Sequence, residues 1–286
     1  MGSEAALLGV AGTVRMERSR FVVACGILPA QRARLVDALR GRAAIRIADS
    51  FGDLDRLLLS QIDPVDCVVL PFHDPSGADA TRTVRRLVKS WPRVAIVAYG
   101  TVGSQYSNDL RGLAAAGVHQ FVFAGIDDDG VAFRAVLDAA RQQCAAENVL
   151  ASLSHIVPST LHSMVEAALS KPEQITTVGT LASSLGVVRG TIFNRCVRAW
   201  PISPEEMLTW TRLALVAYFL ETTGCTVETI ANRLSYASPN ALRNTIKRYC
   251  GLRATEVREA GGLKCVVRAL RVRIASLEKR AALHVE

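Results

Sequence analysis

Several absences narrow the reading before any motif is considered. None of the apolar runs in these 286 residues reaches the roughly 18 positions that a membrane-spanning helix needs, so no membrane partner is expected. Met1 to Val14 has neither the basic start nor the long apolar stretch of a secretory signal. Seven cysteines, at 25, 67, 144, 196, 225, 250 and 265, are an odd number without a C-x-x-C pair or Cys/His ligand spacing. That argues against a disulfide framework or a zinc site and suits core thiols in a reducing cytoplasm. No nucleophile–base–acid set or metal-ligand cluster can be assembled, so neither an enzyme nor a metal or other cofactor is expected. Acid is also scarce in one half: residues 1–150 hold 17 Lys/Arg against 16 Asp/Glu, and residues 151–286 hold 17 against 10. The formal net charge of +8 thus sits almost wholly in the second half, the electrostatic footprint of a domain that binds a polyanion.

What is present divides the chain in two. Half of the residues are apolar, enough for two cores. Residues 1–17 precede the first strand-like run and are expected to be a flexible extension, with Met16 an alternative start to Met1. From 18 to 148, short β-branched runs alternate with helical patterns five times, the rhythm of a parallel sheet covered on both faces. Strands are predicted at Arg20–Cys25, Ala44–Ala48, Cys67–Pro71, Val94–Tyr99 and Gln120–Phe123. Helices are predicted at Pro29–Arg40, Phe51–Gln61, Ala78–Ser90, Asn108–Ala116 and Gly130–Glu147. A doubly wound, flavodoxin-like domain follows, whose ligand crevice would lie outside the carboxyl ends of the first and third strands, near Gly26, Pro71 and His73.

Two stretches of this half, Asp66-Cys67-Val68-Val69-Leu70-Pro71-Phe72-His73-Asp74-Pro75 and Gly117-Val118-His119-Gln120-Phe121-Val122-Phe123-Ala124-Gly125, resemble the third-strand and fifth-strand segments of response-regulator receiver domains. The resemblance implies a receiver-like fold but not its chemistry. Pro71 stands at the phosphoacceptor aspartate, Cys25 and Gly26 at the acidic metal pair, Ala124 at the phosphoryl-contacting lysine, and the Thr/Ser switch falls near Ala98. Aspartyl phosphorylation needs a carboxylate nucleophile, a cation held by further carboxylates and a neutralising charge, so a pseudo-receiver is expected. Asp74 reads as a turn residue and His73 as a solvated loop residue. By fold analogy alone, two copies are expected to pair through this half.

Residues 149–157 are weakly patterned and read as a linker. From Pro158 to 262 the period is helical, and two helix-turn-helix signatures stand about fifty residues apart. In the first, Val178, Leu181, Ala182 and Leu185 form one stripe of a helix over Thr177–Leu185, Gly186 fits a turn that needs positive φ, and Val188–Ala199 restarts with Ile192, Cys196 and Ala199 inward. Ser203-Pro204-Glu205-Glu206 starts a helix to Thr222 that is apolar around much of its circumference; at 1.5 Å per residue it spans about 27 Å, near the roughly 34 Å of a DNA turn. The second signature has Val227, Ile230, Ala231 and Leu234 inward, a turn at Leu234-Ser235-Tyr236-Ala237, and a helix opened by Ser238-Pro239 with Leu242, Ile246, Tyr249 and Cys250 inward. Asn240, Arg243, Asn244, Lys247 and Arg248 remain outside, a polar and basic face with no acid on it.

Both signatures, their order, the helix between them and the segments Ala237-Ser238-Pro239-Asn240-Ala241-Leu242 and Ile246 to Glu256 resemble the DNA-binding domain of the AraC/XylS family of bacterial transcription regulators over about residues 158–262. The resemblance implies a seven-helix domain, all-α, on double-stranded DNA. Base-reading positions fall on Gly190, Phe193 and Asn194 in the first unit and on Pro239, Asn240, Arg243 and Asn244 in the second; Arg189, Arg198, Lys247 and Arg248 suit phosphates. Ser235, Val188 and Ala254 replace the family's usual Gly, N-cap Ser and Pro. Gly190 and Phe193 bond poorly to bases, which makes the first unit an anchor and the second the reader. Along the basic tail, 263–286, Val267, Leu270, Ile274, Leu277 and Ala281 keep a heptad rhythm that suits a helix packed on its own domain, a short dimerising coil or a phosphate-binding arm. The whole reads as a sequence-specific transcription regulator; a small-molecule sensor using the crevice and a protein-interaction adaptor are the other readings.

Overall fold

The computed structural model describes residues 21–41, 43–60, 65–73, 80–101 and 107–283; the expected extension at 1–17, Met16 and Asp74 lie outside them. Five parallel strands, β1 (Phe21–Cys25), β2 (Ala44–Ala48), β3 (Val65–Pro71), β4 (Ala95–Gly100) and β5 (Gln120–Phe123), lie in the order β2-β1-β3-β4-β5. That is the flavodoxin-like, doubly wound order. Alternation along the strands separates two cores. Val22, Ala24, Val69, Val97 and Tyr99 face Leu35 of α1 (Pro29–Leu39) and Phe133 and Leu137 of α5 (Gly130–Leu153). Val23, Cys25, Val68, Leu70 and Ile96 face α2 (Phe51–Leu59), α3 (Ala80–Ser90) and α4 (Ser107–Ala116). Both faces being covered, the strands carry almost no polar residue, as a buried parallel sheet requires.

The helix α5 runs past its predicted end. The sequence predicts its end at Glu147 and a linker at 149–157, yet the helix runs 24 residues from its N-cap Asp129 to Leu153. Ala145, Val149 and Leu153 recur every fourth residue and are buried in the core of the second half, so tertiary burial carries the helix on where local pattern is weak. Beyond it stand a 3₁₀ turn (Ser159–Leu161), α6 (His162–Ser170), α7 (Val178–Ser184), α8 (Arg189–Ala199), α9 (Pro204–Thr222), α10 (Val227–Arg233), α11 (Pro239–Cys250), α12 (Ala254–Glu259) and α13 (Leu263–Leu283). From α6 to α12 these are seven helices among the described residues. They pack around α9, which is buried without a break from Trp210 to Leu220. Ser203 caps it by accepting the Glu206 N–H at 3.2 Å, with Pro204 in its first turn.

The tail α13 lies along α9 and docks through Leu263, Val266 and Leu270, with Val267, Ile274 and Leu277 partly buried on the same core. Arg273 donates to Glu206 of α9 at 2.8 Å. The heptad stripe therefore packs on its own domain as far as Leu277, and Ala281 is exposed. No helix among the described residues is long and apolar enough to cross a membrane.

Candidate DNA interface

The two helix-turn-helix units are built to one plan. Thr177 caps α7 by accepting the Thr180 N–H at 3.1 Å, and Thr226 caps α10 by accepting the Thr229 N–H at 3.2 Å. Both helices then end in a Schellman turn. In the first, Gly186 N–H donates to the Ser183 carbonyl and Val187 N–H to the Ala182 carbonyl; in the second, Ser235 N–H donates to Asn232 and Tyr236 N–H to Ala231. Such a turn puts one residue in the left-handed region, Gly186 at φ +65° and Ser235 at φ +51°. Ser235 is the only non-glycine with positive φ among the described residues. The starts of the second helices differ: Ser238 accepts the Ala241 N–H at 3.1 Å, whereas Val188 offers no side-chain cap to α8 and is 73% exposed.

On α8, Ile192 and Cys196 are buried, while Arg189, Gly190, Asn194 and Arg198 are exposed. Phe193 is half-buried against the core, with the Arg189 guanidinium 5.4 Å from its ring centre, so its ring is largely taken up by packing. Arg189 also pairs with Glu205, in the first turn of α9, at 3.3 Å. Arg195 is exposed beside Asn194 and adds a cation to this face that the sequence reading passed over.

On α11, Leu242 and Ile246 are buried, and Asn240, Arg243, Asn244, Lys247 and Arg248 are exposed on one side; Pro239 is partly exposed at the first turn. The expectation that this face has no acid needs correction. The fold brings Glu228, from the first turn of α10, onto Arg243, which also donates to Asn240 Oδ1 at 2.9 Å. Periodicity within α11 could not reveal a partner supplied by another helix.

A second residue without a sequence reading is Arg212, 7% exposed in the middle of α9. It donates to the carbonyls of Pro172, ahead of α7, and Leu234, the C-cap of α10, and lies 4.8 Å from the Tyr236 ring centre. One guanidinium thereby ties both units to the central helix. A lone charge in the apolar middle of the helix, Met207–Leu220, was its signal.

In the first half, Pro71, which the receiver resemblance sets against the phosphoacceptor, lies at an apolar corner. Pro71 ends β3, and Phe72 turns its ring over Gly100, where a side-chain carbon would meet it at 2.5 Å. Phe72 meets Phe121 and Phe123 edge-on, with ring centres 6.1 and 5.9 Å away. Cys25 is buried and donates to the Ser50 carbonyl at 3.4 Å. His73, expected to be solvated, sits 3.4 Å from Asp109 of α4. Residues 74–79 and 102–106, which follow β3 and β4 in the sequence, are outside the described residues.

Fold and site together define a receiver-like α/β domain joined to a tandem helix-turn-helix domain. Residues 181–260 match the family model described as a helix-turn-helix domain, of the AraC type, so this segment is a DNA-binding module of transcription regulators. No curated protein matches the chain. Among solved structures, the signal receiver domain of an HD domain-containing protein from Pseudomonas fluorescens Pf-5 is 18% identical over 49% of this chain and 98% of its own, with a TM-score of 0.39. A response regulator receiver domain protein from Clostridium thermocellum is 12% identical over 44% and 95%, TM-score 0.36. Full-length FixJ from B. japonicum is 15% identical over 82% and 99%, TM-score 0.36. At such values the assignment of the first half rests on its own strand order.

Proposed function

We propose that the chain is a cytoplasmic, sequence-specific transcription regulator, not an enzyme, that sets α8 and α11 into adjacent major-groove segments of duplex DNA. In this reading Asn240, Arg243 and Asn244 read base edges, and Arg189, Arg198, Lys247 and Arg248 hold phosphates. The observation that carries it is the exposed polar and basic side of α11, which follows a capped helix-turn-helix turn. Gly190 and the packed Phe193 leave α8 few groups for bases, which supports an anchoring role through shape and backbone. The first half acts without aspartyl phosphorylation, a reading supported by Pro71, Cys25, Gly26 and Ala124 standing where that chemistry needs charge. Pairing of two copies through this half belongs to the proposal by fold analogy alone.

The test uses duplexes enriched by the full chain from a random pool. Arg243→Ala should cost about 1–3 kcal/mol at one operator position and relax preference there. Lys247→Ala should weaken all duplexes alike and reduce the salt slope by about 1. Equal losses on enriched and random DNA for both variants would overturn the assignment of Arg243. A chain that binds no DNA at low salt would point to an adaptor.

A further inference from the structure

Each helix-turn-helix unit holds an arginine of its second helix on a carboxylate from a neighbouring helix of the same fold. Arg243 engages Asn240 Oδ1 at 2.9 Å through Nη1 and Glu228 through Nη2. Arg189 engages Glu205 at 3.3 Å through Nη2. The side chains of Arg243 and Glu228 are 45% and 52% exposed, and exposed pairs of this kind add little to folding. A carboxylate on a surface that must approach phosphates is, on its own, unfavourable for binding. Its use has to lie elsewhere.

We infer that Glu228 is a specificity-determining residue, which withholds Arg243 from phosphates and reserves it for base edges; this rests on the DNA-binding reading above. Phosphate contact draws on the full charge of a guanidinium and on counterion release. The Arg243–Glu228 pair carries little net charge, so random DNA gains little from it. Base edges such as guanine O6 and N7 are neutral acceptors that need directed N–H groups rather than charge. Of the five N–H groups of a guanidinium, those not held by Asn240 and Glu228 stay available and oriented.

The experiment measures affinity of the full chain for duplexes it has enriched and for random duplexes, across salt, with Glu228→Gln, Glu228→Asp and Glu228→Gln combined with Arg243→Ala. Glu228→Gln should bind random DNA about 3- to 10-fold tighter at low salt and steepen its salt slope by up to about 0.9, with a smaller gain on enriched duplexes. The ratio of specific to random binding therefore falls, while Glu228→Asp keeps it near the wild-type value. With Arg243→Ala present, Glu228→Gln should change random binding far less. An unchanged ratio in Glu228→Gln overturns the inference alone, as does an equal gain in the Arg243→Ala background, which would mean that the carboxylate acts on DNA directly. Failure of the wild-type chain to enrich any duplex overturns the DNA-binding reading and this inference with it.

Discussion

Ser235 and Gly186 occupy the same place in their two turns, and only one of them suits it. A side chain at φ +51° crowds its own backbone, which costs on the order of 1–2 kcal/mol. Glycine removes that strain but loses more freedom on folding, about 0.5–1 kcal/mol. Ser235→Gly should therefore stabilise the chain by about 0.5–1 kcal/mol in urea unfolding. Gly186→Ala should destabilise it by about 1 kcal/mol; a carbon added there meets nothing within 4 Å, so the whole effect is backbone strain. The position of Gly186 was legible because glycine before a restarting helix marks a left-handed residue. At the same scale, the partners of Arg243 and Arg189 were not legible: Glu228 lies 15 residues away and Glu205 16, and the pairing depends on how two helices cross.

Among the elements, β2, β5, α9 and α11 fall where periodicity and caps put them, because each is bounded by strong local signals: Ser203-Pro204 and Ser238-Pro239 for the helices, and turn residues for the strands. The far end of α5 was hidden since its last two turns are held by contacts with a core the local sequence does not contain. In α9 the apolar circumference announced a central helix, but Arg212 gives it a second task. Two buried carbonyls, of Pro172 and Leu234, depend on its N–H groups. Arg212→Met should keep much of the packing and leave both carbonyls unpaired, a loss of about 2–4 kcal/mol in unfolding free energy. Since Leu234 is the C-cap of α10, DNA affinity measured on the folded variant should fall as well, through a loosened second turn.

At the scale of the whole molecule, the two halves meet along a seam rather than at a hinge. Arg93, just ahead of β4, pairs with Glu221 near the end of α9 at 2.6 Å, and Glu221 also accepts the Leu263 N–H at 3.2 Å. Arg233 of α10 donates to Gln142 of α5 at 3.2 Å, and Asn148 of α5 donates to the Pro92 carbonyl at 2.6 Å. Limited proteolysis of the native chain should thus spare residues 141–157, whereas a flexible linker would be cut there first. Cleavage in that stretch at low protease would show the seam to be open. The continuity of α5 also fixes a phase. Each residue of an α-helix turns the chain by about 100°, so one residue inserted between the part of α5 that lies on the sheet and the part buried beneath α9 would swing α8 and α11 a quarter turn or more about the receiver-like half. The bearing of the DNA relative to that half is thereby written in the length of a single helix.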